Sequence, residues 1–173
     1  MMAYKMPPGI KRKQYGFMNW KDFDQDLWNK VSEESKSNMI TPEVNIQGGD
    51  IAMQSIDLSK MACLDFNLRK AIKLERIPFN AHMPTSESGI LILNPPYGER
   101  IKPKDLIELY TSIGNHLKKN YAGFDAWIFS SNREAMKQIG LKPSKKYTLF
   151  NGPLECKFQK FSMYTGSQKT KKL

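Results

Sequence analysis

The chain has 173 residues, 40% of them apolar and 25% charged, which suits a folded domain with its own core and excludes a fibrous or disordered protein. Twenty-seven Lys and Arg against seventeen Asp and Glu leave a net charge of +10, the balance of a protein that meets a polyanion or of a basic surface that meets none. No apolar run approaches the roughly 18 residues of a membrane span and no signal core follows Met1, so the reading is a cytoplasmic protein. Cys63 and Cys156 stand far apart, with no C-x-x-C pair and no clustered histidines, so neither a disulfide framework nor a metal site is expected.

The cations are patchy. KMPPGIKRK (5–13), the group Lys142, Lys145 and Lys146, and the tail QKTKKL (168–173) are the densest stretches; residues 165–173 read as a basic, mobile tail to a domain spanning 1–164. After Pro7-Pro8-Gly9 the aromatic series Tyr15, Phe17 and Trp20 reads as an ordered connection. It leads into a helix in WKDFDQDLWNKVSEESKSN, with Asp22 as N-cap and Phe23, Leu27, Trp28 and Val31 on one face. Pro42 resets the chain, and VNIQGGDI (44–51) is a short strand closed by two glycines and an acid, followed by a helix from about Ala52 to Leu68. RIPFNAHM (76–83) reads as another short strand, placed at a sheet edge by Pro78.

GILILN (89–94) is a stronger strand. Its continuous apolar run suits a strand covered on both faces, which points to a parallel sheet flanked by helices. From Lys104 to Tyr121, Leu106, Leu109, Tyr110, Ile113 and Leu117 recur at spacings of three and four, an amphipathic helix after Pro103. AWIFSSN (126–132) is a buried strand, and REAMKQIGL is a short helix stopped by Gly140. KKYTLFNGPLECKFQKFSMY (145–164) alternates about Asn151-Gly152, a β-hairpin pattern. The sum is an α/β fold, mostly parallel with an antiparallel hairpin at its C-terminal end. Met53, Met61 and Met136 read as core filler, and His82 and His116 as satisfied polar residues rather than catalysts.

The stretch with chemistry in it is LILNPPYGERI (91–101). In an open α/β sheet, ligands collect beyond the carboxyl ends of the strands, which is where Asn94 to Tyr97 fall. Asn94 brings a side-chain carbonyl, and Pro95 brings a backbone carbonyl with no N–H and a restricted φ, so two acceptors are fixed side by side. Such a pair suits the planar amine of a nucleobase, whose delocalised lone pair is a poor nucleophile until both hydrogens are held and the nitrogen can pyramidalise. Tyr97 adds a flat face on which a base can stack.

These residues resemble the class I S-adenosylmethionine-dependent amino-group methyltransferases, whose signature is N-P-P-Y. The longer NPPYGERI, together with PPGIKRKQYGFMNWKDFDQDLW (7–28), GGDI (48–51) and KKYTLFNGPLECKF (145–158), is similar to the branch that methylates the N2 amine of guanine in large-subunit rRNA, and the resemblance covers nearly the whole chain. It implies a Rossmann-like methyltransferase sheet with S-adenosyl-L-methionine as cofactor and RNA as partner. Asn94 and Pro95 would hold the exocyclic amine, Pro96 would stiffen the turn, and Tyr97 would stack on the target guanine. Asp50 would bind the cofactor ribose and Ile51 would lie beside the adenine, with Asn80 as the candidate contact to the adenine amine. Lys11, Arg12, Lys13 and Arg100 are the candidate nucleic-acid contacts, and Tyr15, Phe17 and Trp20 beside them form either a stacking patch or local packing.

The resemblance also implies what is missing. Intact members carry a first, central strand and a glycine-rich loop before the block that matches PPGIKRK, and a THUMP domain further upstream. The expectation is therefore a partial catalytic domain, completed by the absent segment. It leaves a hydrophobic slot between the strands at 44–48 and 89–93 unless they close up, a second copy fills the gap by self-association, or the sheet rearranges. Two other readings remain open, a nucleic-acid-binding fragment without catalysis and a DNA amino-methyltransferase, because N-P-P-Y also serves adenine N6 and cytosine N4.

Overall fold

Local signals set most of the element boundaries in the computed structural model of the protein, which describes residues 1–68, 70–98 and 102–164. In chain order the elements are α1 (Gln25–Ser37), β1 (Ile46–Asp50), α2 (Met53–Asp65), β2 (Ile72–Arg76), β3 (Gly89–Leu93), α3 (Pro103–Asn120), β4 (Phe124–Ser130), α4 (Arg133–Lys137), β5 (Lys145–Asn151) and β6 (Leu154–Ser162). The cap of α1 is Asp24, not Asp22: its Oδ1 accepts from the N–H of Leu27 at 2.9 Å, three residues on, as an N-cap must. α3 opens on Pro103, where a missing N–H costs nothing. The strand expected at 76–83 lies earlier, at β2, where half-buried Ile72 and Leu74 alternate with exposed Lys73 and Glu75. Beyond Pro78 the chain turns as a 3-10 helix, Phe79–Ala81, with the Ala81 N–H bonded to Pro78 O.

The chain divides into two compact units, Met1–Gly48 with Ala62–Lys73, and Gly49–Met61 with Leu74–Leu173. In the first, Met6 and Leu68 are buried, and the rings of Tyr15, Phe17, Phe23 and Trp28 pack together. Leu27 and Val31 of α1 are exposed, so only part of its expected apolar face is covered.

The second unit carries the main core. Its four-stranded sheet runs β3-β4-β6-β5, with β3 parallel to β4 and the β4-β6 and β6-β5 pairs antiparallel. β1 and β2 form a separate two-stranded sheet. α3 connects β3 to β4, and its stripe of Leu106, Tyr110, Ile113 and Leu117 packs with Phe124, Ala126 and Ile128 of β4, Phe161 of β6 and Ala135 and Met136 of α4. Leu91 and Leu93 join that core from β3. Ile90 and Ile92 point to the other face and are 72% and 67% exposed, which corrects the expectation of a strand covered on both sides. The reason lies in position: β3 is the edge of its sheet, and α3 and α4 pack on the Leu91 and Leu93 side. Met136 is core as expected, whereas Met53 and Met61 are exposed.

The hairpin turns on Gly152 and Pro153, one residue later than expected, with Asn151 paired to Leu154. Gly152 has φ +58. A two-residue turn with glycine first tolerates that sign, and Pro153 in second place keeps its own φ negative.

Candidate active site

Four residues leave the carboxyl end of β3, and side chains from α3, β4 and α4 fix the path they take. Tyr110 is completely buried on α3 and donates from its hydroxyl to Pro96 O at 3.2 Å. The same oxygen lies 2.7 Å from Ser130 Oγ at the end of β4, and Ser130 Oγ accepts the Asn132 N–H at 3.1 Å. One consistent set of protons runs from Asn132 N–H to Ser130, from Ser130 to Tyr110 and from Tyr110 to Pro96 O. Asn132 holds the next carbonyl too: its Nδ2 donates to Tyr97 O at 3.1 Å, while its Oδ1 caps α4 at Ala135 N, 2.9 Å away. The two carbonyls after Pro95 are thus tied down from behind. Burial pushes the Tyr110 hydroxyl up to about 12, outweighing the opposing bond from Ser130, so it stays a proton donor at neutral pH.

At the front of the turn Asn94 is exposed and Pro95 half-buried. The Tyr97 hydroxyl donates to Asn94 Oδ1 at 2.5 Å, so one of the two acceptors expected for an amine is already engaged. The Tyr97 ring stands edge-on to Phe129 of β4 at 6.0 Å. Burial raises its pKa, helped by Cys156 and opposed by hydrogen bonds with Asn151 and Asn94. Gly98 follows with φ +117, and a Cβ there would come within 3.1 Å of Leu106, so the exit from the motif requires glycine. Glu99, Arg100 and the tail 165–173 lie outside the described residues.

A pocket of about 340 Å³ opens beside the turn, lined by Tyr97, Gly98, Pro103, Leu106, Ser131, Asn132 and Leu154. A larger open groove of about 520 Å³ lies elsewhere, along the outer side of α3. We associate the chemistry with the smaller, because it is the one that borders the motif. Asn80, exposed on its 3-10 turn, lines the larger groove with Ile107, Thr111 and His116.

Asp50 ends β1 and caps the turn into α2: its Oδ1 accepts the Ala52 N–H at 2.7 Å. A carboxylate has room for further donors, so capping and a ligand role coexist. Ile51 is 67% exposed, and its carbonyl accepts from Arg76 Nε at 3.0 Å. Lys11, Arg12 and Lys13 lie in the first unit, all exposed. Lys11 Nζ lies 5.5 Å from the Phe66 ring centroid, and the Arg12 guanidinium 4.9 Å from that of Tyr15. His82 Nδ1 meets the Tyr121 hydroxyl at 2.7 Å and His116 Nε2 meets His82 O at 2.8 Å, the satisfied roles expected of them. Among the described residues no cluster of His, Cys, Asp and Glu is arranged to hold a metal, and no helix is long and apolar enough to cross a membrane.

Sequence reasoning missed Tyr110, Ser130 and Asn132. Tyr110 looked like one more member of an apolar stripe. The available signal was SSN at the carboxyl end of a buried strand, the same edge of the sheet as the motif.

A family model described as an RMKL-like methyltransferase domain matches residues 1–160. The ribosomal RNA large subunit methyltransferase K/L of Shewanella baltica is 33% identical over 177 residues, a match covering 96% of this chain and 24% of that protein. Among solved structures, one described as a putative methyltransferase complexed with SAH superposes with a TM-score of 0.85 at 23% identity, covering 96% of this chain and 44% of the other. One described as a predicted N6-adenine-specific DNA methylase from Listeria monocytogenes superposes with a TM-score of 0.79 at 21% identity, covering 94% and 42%. The chain spans less than half the length of each of these relatives.

Proposed function

Since the chain belongs to the RMKL-like methyltransferase domain family, we propose that it carries the amine-binding part of an S-adenosylmethionine-dependent enzyme that methylates the exocyclic N2 of a guanine in large-subunit rRNA. The observation that carries the reading is the Asn94-Pro95 turn at the carboxyl end of β3, with the carbonyls of Pro96 and Tyr97 bonded from behind and Asn94 Oδ1 at the exposed front, bonded to the Tyr97 hydroxyl. Asn94 Oδ1 and Pro95 O accept the two amino hydrogens of the base and orient the nitrogen. Tyr97 releases Asn94 and presents its ring to the base. S-adenosylmethionine, when bound, supplies an electrophilic methyl group. Asp50 fits its ribose hydroxyls, Ile51 its adenine face and Asn80 its adenine amine. No base need start the transfer, because the amine sheds its proton to solvent afterwards, and the turn acts by positioning. Lys11, Arg12 and Lys13, and Arg100 outside the described residues, supply phosphate contacts. Residues 1–164 act as part of a class I catalytic domain in the cytoplasm.

The free edge of β3 is the proposed contact with a second copy. Among the described residues no strand pairs with the outer edge of GILIL, which carries neither charge nor proline to guard it, and Ile90 and Ile92 lie exposed beside it. Light scattering on the purified chain is expected to find a dimer that Ile92→Lys dissociates; a monomer at all concentrations would refute the contact.

Isothermal titration of the chain with S-adenosylhomocysteine tests the cofactor site without the right RNA. Saturable binding supports the enzyme reading and leads to methyl-transfer assays on rRNA. Absence of binding favours the alternative of a nucleic-acid-binding fragment.

A further inference from the structure

Five aromatic rings gather near the N-terminus, and four of them are used up in contacts with one another. Phe17 is the hub: its ring stacks on Tyr15 at 5.3 Å and meets Trp28 at 5.3 Å, Phe23 at 6.0 Å and Trp20 at 6.3 Å. Tyr15 is closed further by Trp28 at 5.3 Å, by Arg12 over its face, and by the bond from its hydroxyl to Gly9 O at 2.9 Å. Trp20 differs in exposure. Like Phe23 it meets Phe17 as its one ring contact among the described residues, but Phe23 is half-buried and Trp20 is 68% exposed. Yet its backbone is held on both sides, with its N–H on Phe17 O at 3.0 Å and its carbonyl taking the Phe23 N–H at 3.2 Å. An indole is thus offered to solvent from an ordered base.

We propose that Trp20 is a stacking platform for an unpaired base of RNA whose phosphates run over Lys11, Arg12 and Lys13. The proposal rests on the RNA reading above and deepens it, giving the substrate a single-stranded segment at this surface. Charge fixes the direction. Lys11, Arg12 and Lys13 are exposed on the N-terminal side of the ring cluster, and the contacts Arg12 to Tyr15, Tyr15 to Phe17 and Phe17 to Trp20 join them to the indole. On the C-terminal side one exposed cation, Lys21, is followed by Asp22, Asp24 and Asp26, all exposed carboxylates that together would repel a polyanion. Bases inside a duplex are already stacked and show no face to an indole, so the ligand this surface fits is a single strand.

Fluorescence anisotropy with a short labelled oligoribonucleotide, read on the 173-residue chain, tests this. Trp20→Ala is expected to weaken single-strand binding by roughly 5- to 150-fold while leaving the salt slope unchanged, and Trp20→Phe to restore most of the affinity. Lys13→Ala should instead lower the salt slope by about 1. The same sequence as a duplex should bind no better to the wild type than to Trp20→Ala. Equal single-strand affinity of wild type and Trp20→Ala, or no RNA binding at all, overturns the proposal. Titration with S-adenosylhomocysteine separates it from the enzyme reading: a chain that takes the cofactor analogue and ignores RNA sinks this inference alone, and one that binds single strands through Trp20 but no cofactor sinks the other.

Discussion

Replacing Tyr110 by Phe removes one oxygen and keeps the ring, so no cavity forms and the loss isolates the hydroxyl. That oxygen bridges Ser130 Oγ at 2.7 Å and Pro96 O at 3.2 Å from a position with no solvent exposure. Ser130 retains the Asn132 N–H as a donor to its oxygen, and Pro96 is exposed, but the hydroxyl proton of buried Ser130 loses the oxygen it was given to. The cost is then one buried hydrogen-bond network weakened, about 2 kcal/mol, which for a chain of this size lowers Tm by roughly 4–8 °C. Thermal unfolding followed by circular dichroism reads it. The pH dependence is a second check. The folded pKa of Tyr110 is raised to about 12, above that of an unfolded tyrosine near 10, so its contribution is fully present below about pH 10 and fades as pH rises towards 12. The gap in Tm between wild type and Tyr110→Phe should therefore shrink between neutral pH and pH 11. A variant as stable as the wild type, with a gap that does not change, would refute the idea that this hydroxyl holds the turn.

Asn94→Ala, in an enzyme that contains this chain, should abolish methyl transfer while leaving the affinity for S-adenosylhomocysteine within about twofold; turnover near the wild-type rate would remove Asn94 from the amine site. Asp50→Ala should weaken that affinity first, and an unchanged titration would leave Asp50 as the cap of α2 alone. Asp125 is held below the usual carboxylate range, first by its hydrogen bond with Lys160 and then by Ser162. Its contribution is present above the unfolded carboxylate pKa, near 3.9, and lost as pH falls through the lower folded value. Asp125→Asn should flatten the acid limb of a Tm profile below about pH 4, and an identical limb would show that the pair on β4 and β6 adds nothing.

How legible the fold was in the chain depended on the range of the signal. GILIL, the α3 stripe, the β4 run and the alternating hairpin are carried by residues within one element, and each lies where expected within a residue or two. The placement of Asn94 to Tyr97 followed from one of them. β2 was missed because its two inward residues, Ile72 and Leu74, are set among charges, while the more apolar RIPFNAHM has a proline that turns it. The exposure of Ile90 and Ile92 was illegible for a different reason: composition reports that a strand wants cover, not whether an element supplies it. The three residues behind the turn come from α3, β4 and the start of α4, and only the packing of those elements brings Tyr110, Ser130 and Asn132 together.

The bond between Tyr97 and Asn94 also bears on selectivity. A carbonyl oxygen has two lone pairs, so an incoming N–H can join the hydroxyl on Asn94 Oδ1 or take its place. A base carrying an amine therefore gains a bond there. One that lacks the amine offers Asn94 nothing that the tyrosine does not already supply, and forgoes about 0.5–1.5 kcal/mol or roughly 2- to 12-fold in binding. The turn would then sort bases by the bond they add before any methyl group moves.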